Sequence, residues 1–265
     1  MCGIGAFQIV NNEVDPAKVA RVLLRLLQVR GTDASGVAWH ANGETYICKD
    51  NCAGKELARR LPNGIGTTGI VHTRWATQGD PADNNNNHPI DVGGLVGVHN
   101  GHISNDKEVL SMLPDYKRAG KVDSEAAFAM LAHAPAGTTL GERISALRGT
   151  MAFLWLESYD QTETLHAARV SSSPLYVAQT VAGSVLFAST ADILKETAKR
   201  CEMQIEFMQA LSEGTYLKVR HGMIAEMREI PTPPKPVYQT SYKMPDYSHA
   251  SVYSSSSRRN DPTLF

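Results

Sequence analysis

The chain has 265 residues, of which 42% are hydrophobic and 20% are charged, so it can form one large domain or two small domains with a buried core. A formal net charge of -1 excludes bulk electrostatic attraction to nucleic acid or to an anionic membrane surface. Apolar runs are too short to span a bilayer, and the N-terminus lacks a basic leader. We therefore expect a cytoplasmic protein without nucleic-acid or membrane partners.

The N-terminal part is predicted to be mainly strand and loop, with one helix. Residues 2–10 are apolar and β-prone. Asp15 and Pro16 supply an N-cap and a first-turn proline to the helix that follows. The apolar face of this helix carries Val19, Val22, Leu23, Leu26 and Leu27. Short strands are predicted at 37–40, 45–49, 69–75 and 95–101.

The rest of the chain alternates between helical and strand-like patterns. Helices are predicted at 105–113, 123–133, 140–147 and 191–200. Strands that we expect to lie together in a second sheet are predicted at 151–157, 163–170, 174–178 and 184–190. Residues 215–230 are typical of a hairpin. Together these patterns predict an α+β domain over 2–230, followed by a Pro- and Ser-rich tail at 231–265 that is disordered or lies on the surface.

The four cysteines predict reduced thiols rather than a disulfide framework, since they are few and scattered. Cys48 and Cys52 are spaced like one half of a zinc site, but no second pair of ligands follows nearby in the sequence. We predict that the chain binds no metal and no cofactor.

Cys2 becomes the N-terminal residue once an aminopeptidase removes Met1, which requires a small second residue. It then carries a thiol and a free α-amine, a nucleophile and a base on one residue. The amine has an unperturbed pKa of roughly 7.7–8.0, so near neutral pH part of it can accept the thiol proton. The alternative is a small hydrophobic residue that begins a strand, and the rest of the sequence decides between the two.

Two polar motifs follow in the N-terminal half. RGTDASG, at 30–36, has two glycines around short polar residues, which predicts a tight loop held by hydrogen bonds to its own backbone. HTRWATQG, at 72–79, places Arg74 at a strand end and Thr77 close behind it. A guanidinium and a hydroxyl can bind an α-carboxylate, while an ion pair between Arg74 and an internal carboxylate is the alternative.

Two further motifs supply donors and a carboxylate. In VHNGHISN, at 98–105, the Asn100 amide and the Gly101 N–H are donors for a developing oxyanion, although Asn-Gly is also a common hairpin turn. In KVDSEAAF, at 121–128, Asp123 precedes a predicted helix and is either its N-cap or a ligand for a substrate ammonium group. The sequence alone does not separate these roles.

Taken in order, MCGI, RGxDxSG, HTRWATxG, HNGxIxN and DSE resemble the class II, N-terminal-nucleophile glutamine amidotransferases. The resemblance is strongest to the glutaminase domain of glucosamine-6-phosphate synthase. It extends more weakly through SSSPLYV, at 171–177, and LFASTADIL, at 186–194, and so covers residues 2–220. It implies a four-layer αββα sandwich of the N-terminal-nucleophile hydrolase type.

The resemblance also implies a role for each motif. Cys2 attacks the side-chain amide of L-glutamine to form a glutamyl thioester, which water hydrolyses to glutamate. Asn100 and Gly101 stabilise the oxyanion. The residues expected to bind or organise the substrate are Arg74 and Thr77 at the α-carboxylate, Asp123 at the α-ammonium, and Arg30 and Trp75 beside them.

Three departures from the family pattern accompany these roles. Gln78 stands where relatives commonly have histidine, which predicts a changed loop interaction or a changed affinity for glutamine. Residues 80–90 are unusually rich in asparagine and are interpreted as a solvated lid. We expect no acceptor domain in a chain of this length and therefore predict a separate synthase that receives the ammonia. The alternatives are a stand-alone amidohydrolase acting on another linear amide and a non-catalytic module that senses glutamine.

Overall fold

The computed structural model of the chain describes residues 1–158 and 163–233. Its strands are β1 Gly3–Gln8, β2 Ala34–Ala41, β3 Glu44–Asp50, β4 Thr68–Arg74, β5 Ile90–Asp91, β6 Leu95–Ile103, β7 Gly149–Glu157, β8 Leu165–Ser171, β9 Tyr176–Thr180, β10 Val185–Ala188, β11 Ile205–Ala210, β12 Thr215–Arg220 and β13 Met223–Glu229. Its α-helices are α1 Pro16–Leu27, α2 Gly54–Arg60, α3 Asp106–Ser111, α4 Asp123–His133, α5 Leu140–Ser145 and α6 Ala191–Cys201. None of these helices in the described chain is long and apolar enough to cross a membrane.

Two of the sequence predictions stay predictions. The tail at 231–265 lies outside the described residues except for 231–233, so the domain boundary at 230 is not tested. The cytoplasmic location is likewise an expectation from the sequence.

The strands of the described chain form two antiparallel sheets. In the first sheet the spatial order is β11-β9-β10-β1-β4-β2-β3, and in the second it is β13-β12-β8-β7-β6-β5. β1 lies inside the first sheet, paired with β4 on one side and with β10 on the other. Every residue of β1 is buried, so the start of the chain is held by a fully covered strand.

Helices cover the outer face of each sheet, and the inner faces of the sheets pack together. Helices α1, α2 and α6 form one apolar cluster with the first sheet, in which Leu23 is fully buried. Helices α3, α4 and α5 form another with the second sheet, around Phe128 and Phe153. A third cluster, which includes Ile4 from the first sheet and Leu154 from the second, fills the space between them. The predicted α+β four-layer sandwich is confirmed.

Helix α1 begins and faces its sheet as the sequence predicts. Asp15 Oδ1 accepts a hydrogen bond from Ala17 N at 2.9 Å, and Pro16 occupies the first turn. Most of the predicted apolar face is buried, namely Val19, Val22, Leu23 and Leu27. This helix can be predicted from the local sequence, because its buried face extends over about two turns and a side chain caps its N-terminus.

The strands predicted between 151 and 190 do not form one sheet. β7 and β8 belong to the second sheet, whereas β9 and β10 belong to the first, where β10 pairs with β1. The chain crosses between the sheets after Ser171 and before Tyr176. Because both sheets are covered on both faces, all four strands are mainly buried, and their sequences carry no sign of the sheet that each one enters.

Three histidines are buried between the two sheets and a neighbouring loop. His72 lies on β4, His99 on β6, and His88 in the loop before β5. The rings of His72 and His88 stack with 4.2 Å between centroids, and His72 Nε2 lies 3.3 Å from the His99 carbonyl oxygen. Burial lowers the pKa of His72 to about 3, and it lowers the pKa of His88 and of His99 as well. These imidazoles are therefore neutral at neutral pH.

We expect the free energy of unfolding to fall as the pH drops from about 6.5 towards 3, because the unfolded chain takes up protons that the buried imidazoles do not. His72 contributes a slope of about 1.4 kcal/mol per pH unit in that window. Urea unfolding at several pH values measures the slope. His72→Met should reduce the slope by the contribution of one proton, about 1.4 kcal/mol per pH unit. Equal slopes in His72→Met and the parent chain would contradict the assignment.

Candidate active site

Cys2 lies directly before β1, and the strand register places it beside the end of β4. Gly3 pairs with Thr73 in this antiparallel ladder, so Cys2 stands opposite Arg74, the last residue of β4. Arg30 Nε donates a hydrogen bond to the Cys2 carbonyl oxygen at 2.8 Å. The ladder on one side and Arg30 on the other therefore fix the backbone of the predicted nucleophile.

The Cys2 thiol contacts the turn that follows β4. Its Sγ lies 3.7 Å from the Trp75 carbonyl oxygen. Burial raises the pKa of the Cys2 thiol, while the positive charges of the N-terminus and of Arg74 oppose the rise, and Asp123 adds to it. A protonated thiol needs a base before it can attack. In the described chain the Cys2 nitrogen is joined to Met1 in a peptide bond.

A shallow cavity of about 260 Å³ is lined by Met1, Val29, Arg30 and Trp75. Its rim is apolar and open to solvent: Val29 is 81% exposed and Trp75 is 56% exposed. The two predicted organisers, Arg30 and Trp75, therefore both line this cavity and both contact Cys2. Exposed apolar groups that border a polar site are typical of surfaces that a substrate or another protein covers.

Arg74 is 2% exposed and holds the loop that follows it. Its Nη1 donates to Asn87 Oδ1 at 2.8 Å, and its Nη2 donates to the carbonyl oxygens of Gln78 and Gly79 at 2.5 and 2.7 Å. These acceptors are neutral, and no carboxylate in the described chain lies within ion-pair distance of the guanidinium, so the ion-pair alternative is wrong. None of these hydrogen bonds therefore neutralises the charge of the guanidinium. Thr77 is exposed on the same loop.

The motif at 30–36 makes hydrogen bonds to the turn after Arg74 and not to its own backbone. Asp33 Oδ2 accepts a hydrogen bond from Ala76 N at 2.7 Å, and Asp33 N donates to the Arg74 carbonyl oxygen at 3.0 Å. The predicted closure of this loop on its own backbone is therefore wrong. The acidic side chain was visible in the motif, but no local pattern identifies an N–H more than forty residues away as its partner.

Gly31 packs directly against the same turn, and we expect Gly31→Ala to disrupt it. A Cβ at Gly31 would lie 2.3 Å from the Arg74 carbonyl carbon and 2.4 Å from Trp75 N, and these backbone atoms cannot move independently. The free energy of unfolding should fall by about 1–3 kcal/mol in urea titrations. The matched control is Gly141→Ala, where the nearest atom is 3.5 Å away and no loss is expected. Equal stability of the two variants would show that the turn adapts.

Asn100 and Gly101 lie inside β6, so the hairpin-turn alternative is wrong. They pair with Ala152 and Met151 of β7. Gly101 has a φ of +148°, and a Cβ there would lie 1.8 Å from the Thr150 carbonyl oxygen, so only glycine fits. Asn100 is 1% exposed, and its Nδ2 has no hydrogen-bond partner among the described residues. A buried donor without a partner lowers stability, which points to a use for it.

Asp123 is the first residue of α4, and the cap position is Val122, without a side-chain cap. The Asp123 carboxylate reaches β6 instead: Oδ2 accepts a hydrogen bond from Ile103 N at 2.6 Å and lies 3.2 Å from His102 Nδ1. The N-cap alternative is therefore wrong. Because Asn100 is on the same strand, Asp123 and the unpartnered amide are linked through β6. No local sequence pattern identifies His102 as a neighbour of Asp123, because a single exposed histidine is common on protein surfaces.

The asparagine-rich residues at 80–90 form part of the framework. Asn86 and Asn87 are buried, so the solvated-lid interpretation is wrong for them. Asn86 Oδ1 accepts a hydrogen bond from Lys121 N at 2.6 Å, and Asn87 Oδ1 takes the bond from Arg74. Asparagine side chains carry both donors and acceptors, which suits them to tie a loop on two sides.

Comparison with known protein sequences identifies related domains. The sequence model described as the glutamine amidotransferase domain matches residues 72–196. The isomerizing glutamine–fructose-6-phosphate aminotransferase of Corynebacterium glutamicum is 34% identical over 209 residues, which are 73% of this chain and 33% of that protein. The enzyme of the same name from Listeria monocytogenes is 29% identical over 230 residues, which are 84% of this chain and 37% of that protein. The chain thus spans about a third of the length of these relatives.

Solved structures share the fold at low sequence identity. Glutamine phosphoribosylpyrophosphate amidotransferase from B. subtilis has a TM-score of 0.70 at 17% identity, over 86% of this chain and 49% of that chain. A glutamine aminotransferase class-II domain protein from Silicibacter pomeroyi has a TM-score of 0.53 at 20% identity, over 86% of this chain and 99% of that chain. At these identities the likeness concerns the fold.

Proposed function

We propose that this chain, which belongs to the class II glutamine amidotransferases, hydrolyses L-glutamine to glutamate and ammonia with Cys2 as its nucleophile. The arrangement of three side chains around Cys2 supports this proposal. The buried cation Arg74 and the buried carboxylate Asp123 both act on the pKa of the Cys2 thiol, and the unpartnered Asn100 amide lies on the strand that Asp123 binds. These groups are complementary to the carboxylate, the ammonium and the oxyanion of one reacting amino acid.

The reaction begins when Met1 has been removed and the Cys2 α-amine is free. The amine takes the thiol proton as sulfur attacks the side-chain carbonyl carbon, and it passes this proton to the leaving nitrogen, so that ammonia departs and a glutamyl thioester remains. Water then attacks the thioester and gives a proton back through the amine to the sulfur as glutamate leaves. Burial keeps the thiol protonated at rest, so a base on the same residue is needed.

Glutamine binding follows from the groups around the thiol. Arg74 binds the α-carboxylate together with the hydroxyl of Thr77, which is exposed on the same loop. The Asp123 contacts to β6 both involve Oδ2, so the proposal assigns Oδ1 to the α-ammonium. The Asn100 Nδ2 and the Gly101 N–H bind the oxyanion, where a preorganised donor acts with little reorganisation.

We further propose that the ammonia passes to an acceptor outside residues 1–233, on a separate synthase protein. The relatives are named as aminotransferases, so their names describe the transfer of nitrogen to an acceptor. The exposed apolar side chains of Val29 and Trp75 line one surface cavity, and the Trp75 carbonyl oxygen contacts the Cys2 thiol, so a partner that covers them lies next to the nucleophile. Affinity purification of the tagged full chain from its host, followed by mass spectrometry, identifies the partner, and recovery of the chain alone would contradict this part.

Ammonia release from purified protein tests the hydrolase itself. The chain is incubated with L-glutamine, L-asparagine, D-glutamine and a peptide-linked glutamine, and glutamate and ammonia are measured separately. We expect equal amounts of both products from L-glutamine and little from the others. A peptide-linked glutamine lacks a free carboxylate or ammonium, D-glutamine presents these groups in the opposite configuration, and the side chain of L-asparagine is one methylene too short to place its amide at Cys2. Preference for another amide would favour a stand-alone amidohydrolase. No hydrolysis of any amide by chain lacking Met1 would favour a glutamine-sensing module.

A further inference from the structure

Gln78 connects two parts of the candidate site that are distant in sequence. It lies in the loop after β4, where its carbonyl oxygen accepts the hydrogen bond from Arg74 Nη2. Its side-chain Nε2 donates to the Lys121 carbonyl oxygen at 2.9 Å and lies 3.4 Å from Asp106 Oδ2. One residue thus contacts the predicted carboxylate-binding loop through its backbone and the segment before Asp123 through its side chain.

The segment that receives Gln78 is itself held firmly. Arg118 Nη1 donates to Asp106 Oδ2 at 3.1 Å, and Arg118 Nη2 donates to the Val122 carbonyl oxygen at 2.9 Å. The Lys121 N–H is bound by the buried Asn86. Because Lys121 and Val122 lead directly into Asp123, a bond from Gln78 to Lys121 ties the loop to a part of the chain that cannot easily shift.

We infer that Gln78 is a positioning residue that fixes the distance between the Arg74 loop and Asp123, and thereby the affinity for the amino-acid end of glutamine. The inference rests on the proposed function. The α-carboxylate and the α-ammonium share one carbon, so their two binding groups must keep a set separation. If this loop moves, its contact with the α-carboxylate is lost, whereas Cys2 keeps its position. Gln78 therefore acts mainly on substrate binding and less on the chemical step.

Gln78→Glu tests this with the least change of shape. It replaces the amide donor with a carboxylate that faces the Lys121 carbonyl oxygen and Asp106. Because these oxygens repel the carboxylate, the link between the loop and Lys121 is broken. We expect the KM for glutamine to rise about tenfold while kcat stays within about twofold. Gln78→Lys, which again offers a donor to both oxygens, should restore KM to within about threefold of the parent. Gln209→Glu makes the same charge change at an exposed position of β11 and should leave both constants unchanged.

Hydrogen exchange of the backbone amides at 75–79 gives a readout that does not need turnover. Without glutamine, these amides should exchange faster in Gln78→Glu than in the parent chain or in Gln209→Glu. Unchanged KM and unchanged exchange in Gln78→Glu would overturn the inference while the hydrolase stands. A fall in kcat with KM unchanged would also overturn it, since the residue would then act on the transition state. If the parent chain does not hydrolyse glutamine, the proposed function fails, and the exchange rates still decide whether Gln78 holds the loop.

Discussion

Replacing Cys2 with alanine should lower the rate of glutamine hydrolysis by at least about a thousandfold, because the substitution removes the thiol that forms the thioester. The backbone position should survive, since β1 is held on both sides by β4 and β10 and Arg30 binds the Cys2 carbonyl rather than its side chain. Ammonia release under saturating glutamine measures the loss. Glutamine binding, followed by calorimetry, should persist in this variant.

The matched control is Cys48→Ala, which removes a half-buried thiol from β3 and should leave the rate unchanged. Mass spectrometry of the parent preparation gives the fraction of chains that have lost Met1, and the specific activity should rise in proportion to this fraction. Full activity in Cys2→Ala, or in chains that retain Met1, would exclude an N-terminal nucleophile.

Asn100→Ala is expected to lower kcat and kcat/KM together by about 10²–10³-fold, the usual cost of losing one oxyanion donor. Nδ2 of Asn100 is buried and unpartnered in the described chain, so its removal breaks no internal hydrogen bond of that nitrogen. The thermal midpoint should therefore change little, apart from the small void that the shorter side chain leaves. Steady-state kinetics and calorimetric melting on the same preparation separate the two effects.

Asn51→Ala, at an exposed turn, is the control for the loss of an asparagine and should affect neither rate nor melting. A large fall in the melting temperature of Asn100→Ala would mean that the amide supports the fold through its oxygen. A rise in KM with kcat unchanged would place Asn100 on the bound substrate and away from the oxyanion.

Elements with strong local chemistry were predictable from the sequence. Helix α1 was found from its cap, proline and apolar stripe, and the hairpin of β12 and β13 turns at His221 and Gly222, which both have positive φ as such a turn requires. Helix α2 and strand β11 had no counterpart in the prediction. α2 has seven residues and begins with glycine, and β11 is an edge strand, so both depend on packing rather than on their own pattern.

The chemical groups of the candidate site and their order can be read from the sequence alone: a second-residue thiol, an arginine at a strand end, an Asn-Gly pair and an aspartate beside a helix. The contacts of these groups become known from the folded chain. The β1–β4 register places Cys2 beside Arg74, Asp33 binds the turn after β4, and Asp123 binds β6 instead of capping α4. Local propensity acts over a few residues, whereas these contacts join residues that are 20 to 72 positions apart in the sequence. They form through strand pairing and buried hydrogen bonds, which depend on the whole fold.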